Sequence, residues 1–336
     1  IVPEDFPGVP LFDLHLLNLC FDGGVRAAID IMDFRHGALA TAPGLHGVPI
    51  MQVIMVPVAD RPECKVALEA AFLLATRLSA NIVGYHLRPH REEHHSNSGA
   101  RLPLLLEESE LPEQSQSTIK LNSANAQKLF RAMAQQHGIS IARKPRVAGH
   151  TLAFWNEMVG TPEKLFSIIG PTSDCIVLSR PYARSSGPAR AFMLSALLRS
   201  GRPLLVLPQK PRAYKGRRIL IAWNQGVQAA KAMSAALPLL ARAEQVHIVC
   251  CGKESSPGPK SAHARNYLLH WGIESRIHHC KGRNPAAEIT KTYKALGCDL
   301  LVMGAYSRGH LRERILGGVT HEMLSKTNVP VFTLHS

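Results

Sequence analysis

The sequence predicts an α/β chain built as two tandem doubly wound parallel-sheet domains, and three observations carry that reading. Apolar, β-rich runs alternate with amphipathic segments from Met51 to the end. Most of these runs are continuous rather than alternating, the pattern of parallel strands covered on both faces. The second half of the chain also repeats the first.

The runs, in chain order, are VIMVPV (53–58), NIVGYHL (81–87), DCIVLS (174–179), PLLVLP (203–208), RILIAW (218–223), VHIVCC (246–251), IESRIHH (273–279), DLLVMG (299–304) and VPVFTL (329–334). Between them, Ala230, Met233, Leu237 and Leu240 recur at steps of three and four and predict one apolar helical stripe over 227–241. The repeat is read from matched segments. SDCIVLSRPY (173–182) matches CDLLVMGAYS (298–307), with Asp174 on Asp299 at an offset of 125. GRPLLVLP (201–208) matches NVPVFTLH (328–335), with Pro203 on Pro330 at an offset of 127. The first strands match at an offset of about 165, so the first copy is about 40 residues longer. The excess falls at 88–122, rich in Glu, Ser, His and Pro, which reads as an inserted surface loop. The expected organisation is a leader over 1–50, a first domain over 51–208, a linker over 209–216 and a second domain over 217–336. QKPRAYKG in the linker is basic, with Pro and Gly, and reads as exposed.

The leader stands apart. The chain begins with Ile1, and residues 1–50 hold no sustained period of 2 or 3.6. They carry six acids against two bases, a net −4, which leaves +18 of the formal +14 on 51–336. The leader is expected to be disordered or no part of the native protein. Its acidic start and the polar breaks at Asp13 and His15 do not fit a signal peptide, and no run reaches the ~20 apolar residues of a membrane span. The expected location is the cytoplasm, without a membrane partner. Seven scattered cysteines without a CxxC pair agree, as small buried hydrophobes in a reducing compartment.

The stretch richest in chemistry is VMGAYSRGHLRERILGGVTHEML (302–324). Gly304, at a strand end, would let a ligand approach the backbone. Gly317-Gly318 would each cost about 1 kcal/mol inside a helix, so a helix should start at the pair. The amides of Gly318, Val319 and Thr320 then become free donors at a positive helix end, an anion site to which Thr320 adds a hydroxyl. Arg308, Arg312 and Arg314 bring positive charge. The loop leaves a carboxyl strand end, where open α/β sheets bind ligands, and so does Trp223-Asn224-Gln225-Gly226.

From Arg217 to Ser336 above all, but over all of 51–336, the chain resembles the universal stress protein family and its tandem members. The fold implied is Rossmann-like, of the adenine nucleotide alpha hydrolase-like kind. In that family a G-x2-G-x9-G-[S/T] loop cradles the phosphates and ribose of ATP, and an Asp after the first strand helps to hold the nucleotide. Gly304 matches the first glycine and Gly317 the third. Ser307 stands at the second glycine, Gly318 at the Ser or Thr, and Asn224 at the Asp. The resemblance implies a phosphate cradle of Gly317, Gly318, Val319 and Thr320. Gly304 and Ser307 would meet the ribose, and Ala222, Asn224 and Val249 the base. Trp223, Met303 and Tyr306 complete the nucleotide-binding set. ATP or AMP is the implied cofactor, with Mg accompanying ATP. The last strands, 203–207 and 330–334, would meet at an interdomain or dimer interface. The first copy lacks the first glycine and the helix-start pair in SRPYARSSGPARAF (179–192). It has Ala59 at the Asp position, followed by Asp60, and Pro188 removes an amide donor; a structural or regulatory role is expected.

The functional expectation is a stress-response regulatory protein whose second domain binds an adenine nucleotide at 304–320. It would not be an enzyme beyond weak ATPase activity, since no general base or metal carboxylate is positioned. The alternative is a nucleotide-independent interaction or chaperone-like module working through surfaces such as 88–122. An adenylating or pyrophosphatase enzyme would need a Ser/Gly-rich loop after the first strand, for which Trp223-Asn224-Gln225-Gly226 is poor. Other candidates read as ordinary structure. His90, His94 and His95 fit a solvated loop, with no second cluster to complete a metal site. His278-His279-Cys280 alternates faces of a strand. Cys250-Cys251 reads as buried, His321-Glu322 as a solvated helix face, and Ser185-Ser186 near Arg184 and Arg190 as an exposed loop. Aromatics are 6% and the bases are dispersed, so nucleic acid is not an expected partner.

Overall fold

The computed structural model describes residues 50–88, 116–146, 150–181, 187–209, 214–255, 257–305 and 318–335. The leader up to residue 49, the His90–His94–His95 group, Arg184, Ser185 and Ser186 lie outside the described residues.

The first half runs β1 (Val53–Pro57), α1 (Pro62–Leu78), β2 (Asn81–Arg88), α2 (Gln116–Gln136), β3 (Ser140–Ile141), β4 (Leu152–Val159) and α3 (Pro162–Lys164). A π-helical turn (Leu165–Ile169) and a 3-10 turn (Gly170–Thr172) continue α3, and β5 (Cys175–Ser179), α4 (Gly187–Arg199) and β6 (Leu204–Leu207) follow. The second half runs β7 (Arg218–Trp223), α5 (Val227–Ala235), α6 (Leu237–Leu240), β8 (Gln245–Cys251), α7 (Ser261–His270), β9 (Arg276–Cys280), α8 (Pro285–Ala295), β10 (Leu300–Ala305), α9 (Gly318–Ser325) and β11 (Val331–His335).

The strands form one sheet in the order β3-β4-β2-β1-β5-β6-β11-β10-β7-β8-β9. This is a doubly wound α/β fold. The order 4-2-1-5-6 of one half is the order 9-8-7-10-11 of the other. Pairing is parallel within each half, and β6 and β11 join antiparallel, Val206 opposite Val331. Helices α1, α2, α5, α6 and α7 cover one face, where Phe72, Phe130 and Trp223 are buried. The 162–172 helical segment with α4, α8 and α9 covers the other, over Leu165, Met303 and Met323. Covering on both faces is why the strands read as unbroken apolar runs.

The matched aspartates have matching work. Asp174 Oδ2 accepts the amides of Gln52 and Val53 at 2.8 and 2.9 Å. Asp299 accepts those of Arg217 and Arg218 at 3.0 and 3.1 Å. Each carboxylate fixes the start of the first strand of its half. Hydrogen bonds to a charged group contribute about 1.5–3 kcal/mol, so Asp299→Ala is expected to cost about 2–3 kcal/mol in denaturant unfolding. A loss under ~0.5 kcal/mol would remove this role.

Four expectations need correction. Strand β4 is absent from the sequence reading because Asn156 and Glu157 interrupt LAFWNEMV; it lies beside the two-residue β3, so its later residues are only partly covered. The 88–122 segment is not all loop, since α2 begins at Gln116. The 209–216 linker is not wholly exposed, since Tyr214 is buried in the core. The 227–241 helix divides at Ala236, where Pro238 cannot continue the hydrogen-bond ladder.

Candidate functional site

Strand β7 lies between β8 and β10, so the chain reverses its direction of travel across the sheet at this strand. Ligands of open α/β sheets bind beyond the carboxyl ends at such a point. Here those ends are Ala222-Trp223-Asn224 on β7 and Gly304-Ala305 on β10, and α9 opens at Gly318. Tyr306, Ser307 and Gly317, with Arg308, Arg312 and Arg314, lie outside the described residues.

Strand alternation divides the remaining candidates between two faces. Ala222 pairs with Val249, which pairs with His278. Ala222, Val249, Met303 and Val319 share the apolar cluster under α8 and α9. Trp223 points the other way. It is buried among α5 and α7 side chains, and its indole N–H donates to the Pro259 carbonyl at 2.8 Å. Its role is therefore core packing. Gly304 also answers to the fold. A Cβ there would lie 2.5 Å from the Gln228 carbonyl carbon and 2.6 Å from the Ala229 nitrogen. The approach this glycine permits is that of helix α5.

The loop after β7 is held rigidly. Asn224 Oδ1 accepts the Gly226 amide at 3.0 Å, and Gln225 sits at φ 63°. A non-glycine residue there is uncommon and is kept only where its surroundings fix it. The surroundings are the segment after β8. Lys260 Nζ donates to Gln225 Oε1 at 3.0 Å and to the Glu254 carbonyl at 2.6 Å. A Cβ on Gly258 would meet the Gln225 carbonyl oxygen at 2.1 Å. Burial raises the Glu254 carboxyl, but the Ser261 amide and hydroxyl, at 2.6 and 3.0 Å, outweigh it and hold the group below its usual range. Sequence reasoning missed this brace. Its signal was SPGPK (256–260), placed directly after a strand.

Helix α9 begins at Gly318, and among the described residues a Cβ on Gly318 would meet nothing within 4 Å. Neither crowding by the described residues nor a positive φ requires glycine at this exposed position. The first amides of the helix have no partner within it. Thr320 differs from expectation: its side chain is buried with those of Met323 and Leu324, so only its backbone faces the helix end. His321 contacts Ser325 at 3.2 Å rather than its neighbour Glu322. Burial, then Arg190 and Lys326, lower its imidazole.

At the equivalent place in the first half the described side chains are bulkier. Tyr85 stands opposite Pro57 as Val249 stands opposite Ala222. Together with Leu87, Met158 and Phe192 it packs on the cluster beneath, and burial raises its phenol.

On strands β8 and β9, His247 Nδ1 lies 3.1 Å from His278 Nε2. Burial lowers both imidazoles. The proximity of His278, Arg276 and Arg218 lowers His247 further, and Arg276 does the same for His278. Below the ordinary value of 6.5, the unfolded chain therefore binds more protons than the folded one. Stability should be level above that pH and fall as pH drops through the folded values. The urea midpoint of the wild type is expected to fall between pH 7.5 and pH 5, and less so in His278→Gln. Equal slopes would contradict the assignment.

Among the described residues no three His, Cys, Asp or Glu side chains are placed to hold a metal, and no helix is long and apolar enough to cross a membrane. The sequence profile of the Universal stress protein family matches residues 253–335. A universal stress protein of Methanocaldococcus jannaschii is 36% identical over 50 residues, 15% of this chain and 31% of that protein. The chain thus spans about a third of the curated relative it matches. Among solved structures, a universal stress protein from Archaeoglobus fulgidus DSM 4304 superposes with a TM-score of 0.59 at 17% identity, over 84% of this chain and 98% of that one. A putative universal stress protein from Pseudomonas aeruginosa UCBPP-PA14 gives 0.51 at 15%, over 85% and 93%. These likenesses are of fold.

Proposed function

We propose that this chain, whose residues 253–335 match the Universal stress protein family profile, is a stress-response regulatory protein of that family whose second half binds an adenine nucleotide beyond β7 and β10. The observation that carries the reading is the start of α9. Gly318 is exposed, with no described atom within 4 Å of where its Cβ would lie, and it opens a helix whose first amides, having no partner within the helix, can receive an anion. The half-buried Ala222 and Val319, lying over the buried Val249 and Met303, would supply apolar surface for the base.

In this reading the Gly318, Val319 and Thr320 amides hold phosphate, and the exposed Asn224 amide reaches the base or ribose. Tyr306, Ser307 and Gly317 belong to the same loop. Trp223 and Gly304 hold strands and helix in place and leave the ligand to their neighbours. Bound ATP would bring triphosphate charge, with Mg as its counter-ion. The output is regulatory, by binding, with at most slow hydrolysis.

Gly318→Leu tests the cradle. A Cβ at this position meets no described atom within 4 Å, and the rest of the leucine side chain would enter the phosphate approach. It also replaces a helical glycine, which costs up to about 1 kcal/mol relative to a better helix former. The variant is expected to melt at or slightly above the wild-type temperature, while its affinity for ATP falls at least about tenfold, or ~1.4 kcal/mol. Unchanged affinity in a folded variant would reject the cradle.

A further inference from the structure

The carboxyl ends of β8 and β9 bring two thiols together. Cys251 and Cys280 are register partners on neighbouring parallel strands. Both are half-buried, on the face covered by α8. The Cys251 thiol points at the Pro285 carbonyl, 3.8 Å away, and Cys280 Sγ lies 3.3 Å from Thr292 Oγ1. Register partners have Cα atoms about 5 Å apart, inside the ~4.4–6.8 Å that a disulfide spans. The other described cysteines lack such a partner. Cys250 faces the opposite side of the sheet toward Glu254, and Cys175 and Cys298 are buried apart.

We propose that Cys251 and Cys280 are a redox pair, oxidised reversibly to an intrachain disulfide by exchange with a low-molecular-weight disulfide. The Cys280 thiolate attacks one sulfur of the small disulfide R–S–S–R. A mixed disulfide forms and one RS⁻ leaves, taking up the proton that Cys280 lost. The Cys251 thiolate then attacks the Cys280 sulfur. The intrachain bond forms and the second RS⁻ leaves with the proton from Cys251. Two cysteine thiols lose two electrons, and the small disulfide becomes two thiols. Burial, then the neighbouring Cys280 and Glu288, push the Cys251 thiol up to about 11. It is thus a poor nucleophile toward reagents in solution. That assigns it the second step, where proximity replaces the missing thiolate population. The inference stands on the two cysteines and does not depend on nucleotide binding.

The test uses the reduced full chain, oxidised glutathione as the probe, iodoacetamide to trap remaining thiols, and mass spectrometry of a non-reducing digest. In the wild type, Cys251 and Cys280 are expected to lose alkylation together and to appear as one bridged peptide pair that dithiothreitol separates. In Cys251→Ser, Cys280 is expected to keep a glutathione adduct. Three results would overturn the proposal: both thiols remaining alkylatable in folded protein, stable adducts without a bridge in the wild type, or pairing of either cysteine with a different one. The wild-type result decides by itself if a serine variant fails to fold, which circular dichroism reports.

Discussion

Gly304→Ala is expected to destabilise the protein by about 3 kcal/mol, although it adds a single methyl group. The methyl would arrive 2.5 Å from one backbone atom of α5 and 2.6 Å from another. Helix backbone cannot rotate aside as a side chain can. Helix and strand must separate, and Ala229, Ala232 and Met233 lose part of their burial. Overpacking a tight core costs about 1–3 kcal/mol, with more where backbone is struck. A urea titration measures the effect. A loss below about 1 kcal/mol would mean that α5 can shift freely, and the glycine would then belong to the ligand rather than to the fold.

The second large effect concerns Arg180, which follows β5. Its side chain is buried, and its guanidinium donates to the carbonyls of Thr327 and Val329, the latter at 2.6 Å. Gln209 Nε2 donates to its carbonyl at 2.8 Å. Burial lowers the guanidinium to about 10, still charged at neutral pH. One side chain of the first half therefore holds the chain segment that enters β11 of the second, beside the antiparallel β6–β11 pair. Arg180→Met removes these donors and leaves carbonyls without partners in a covered place. Each buried orphan costs about 1–3 kcal/mol, so a loss of about 3 kcal/mol is expected. Arg180→Lys should recover only part, because a single ammonium lacks the planar fork that reaches two carbonyls at once. Equal stability of Arg180→Met and wild type would show that the clamp carries nothing.

The fold was legible because its signals are local and repeated. Continuous apolar runs and Gly318 at the start of α9 each follow from one stretch of chain, and the match of Asp174 with Asp299 follows from the repeat of such stretches. Strand β4 was hidden because Asn156 and Glu157 interrupt its apolar run. The site was legible only in part. Ala222, Val249, Met303 and Val319 lie on one face of the sheet, but which face a residue next in line takes depends on strand parity. Trp223 differs from Ala222 by one position and so lies across the sheet. Gly304 shows the same limit from another side, since a glycine that admits a ligand and one that admits a helix read alike in sequence. The contacts of Arg180 and the pairing of Cys251 with Cys280 span 147 and 29 residues. No local pattern announces them.

The most direct test of nucleotide binding is a calorimetric titration of the full chain with ATP and AMP, with GTP as the non-adenine control. Saturable heat with the adenine nucleotides and none with GTP is the predicted result. No heat with any of them, and no nucleotide released when the purified protein is denatured, would contradict it and favour an interaction module that works without a ligand.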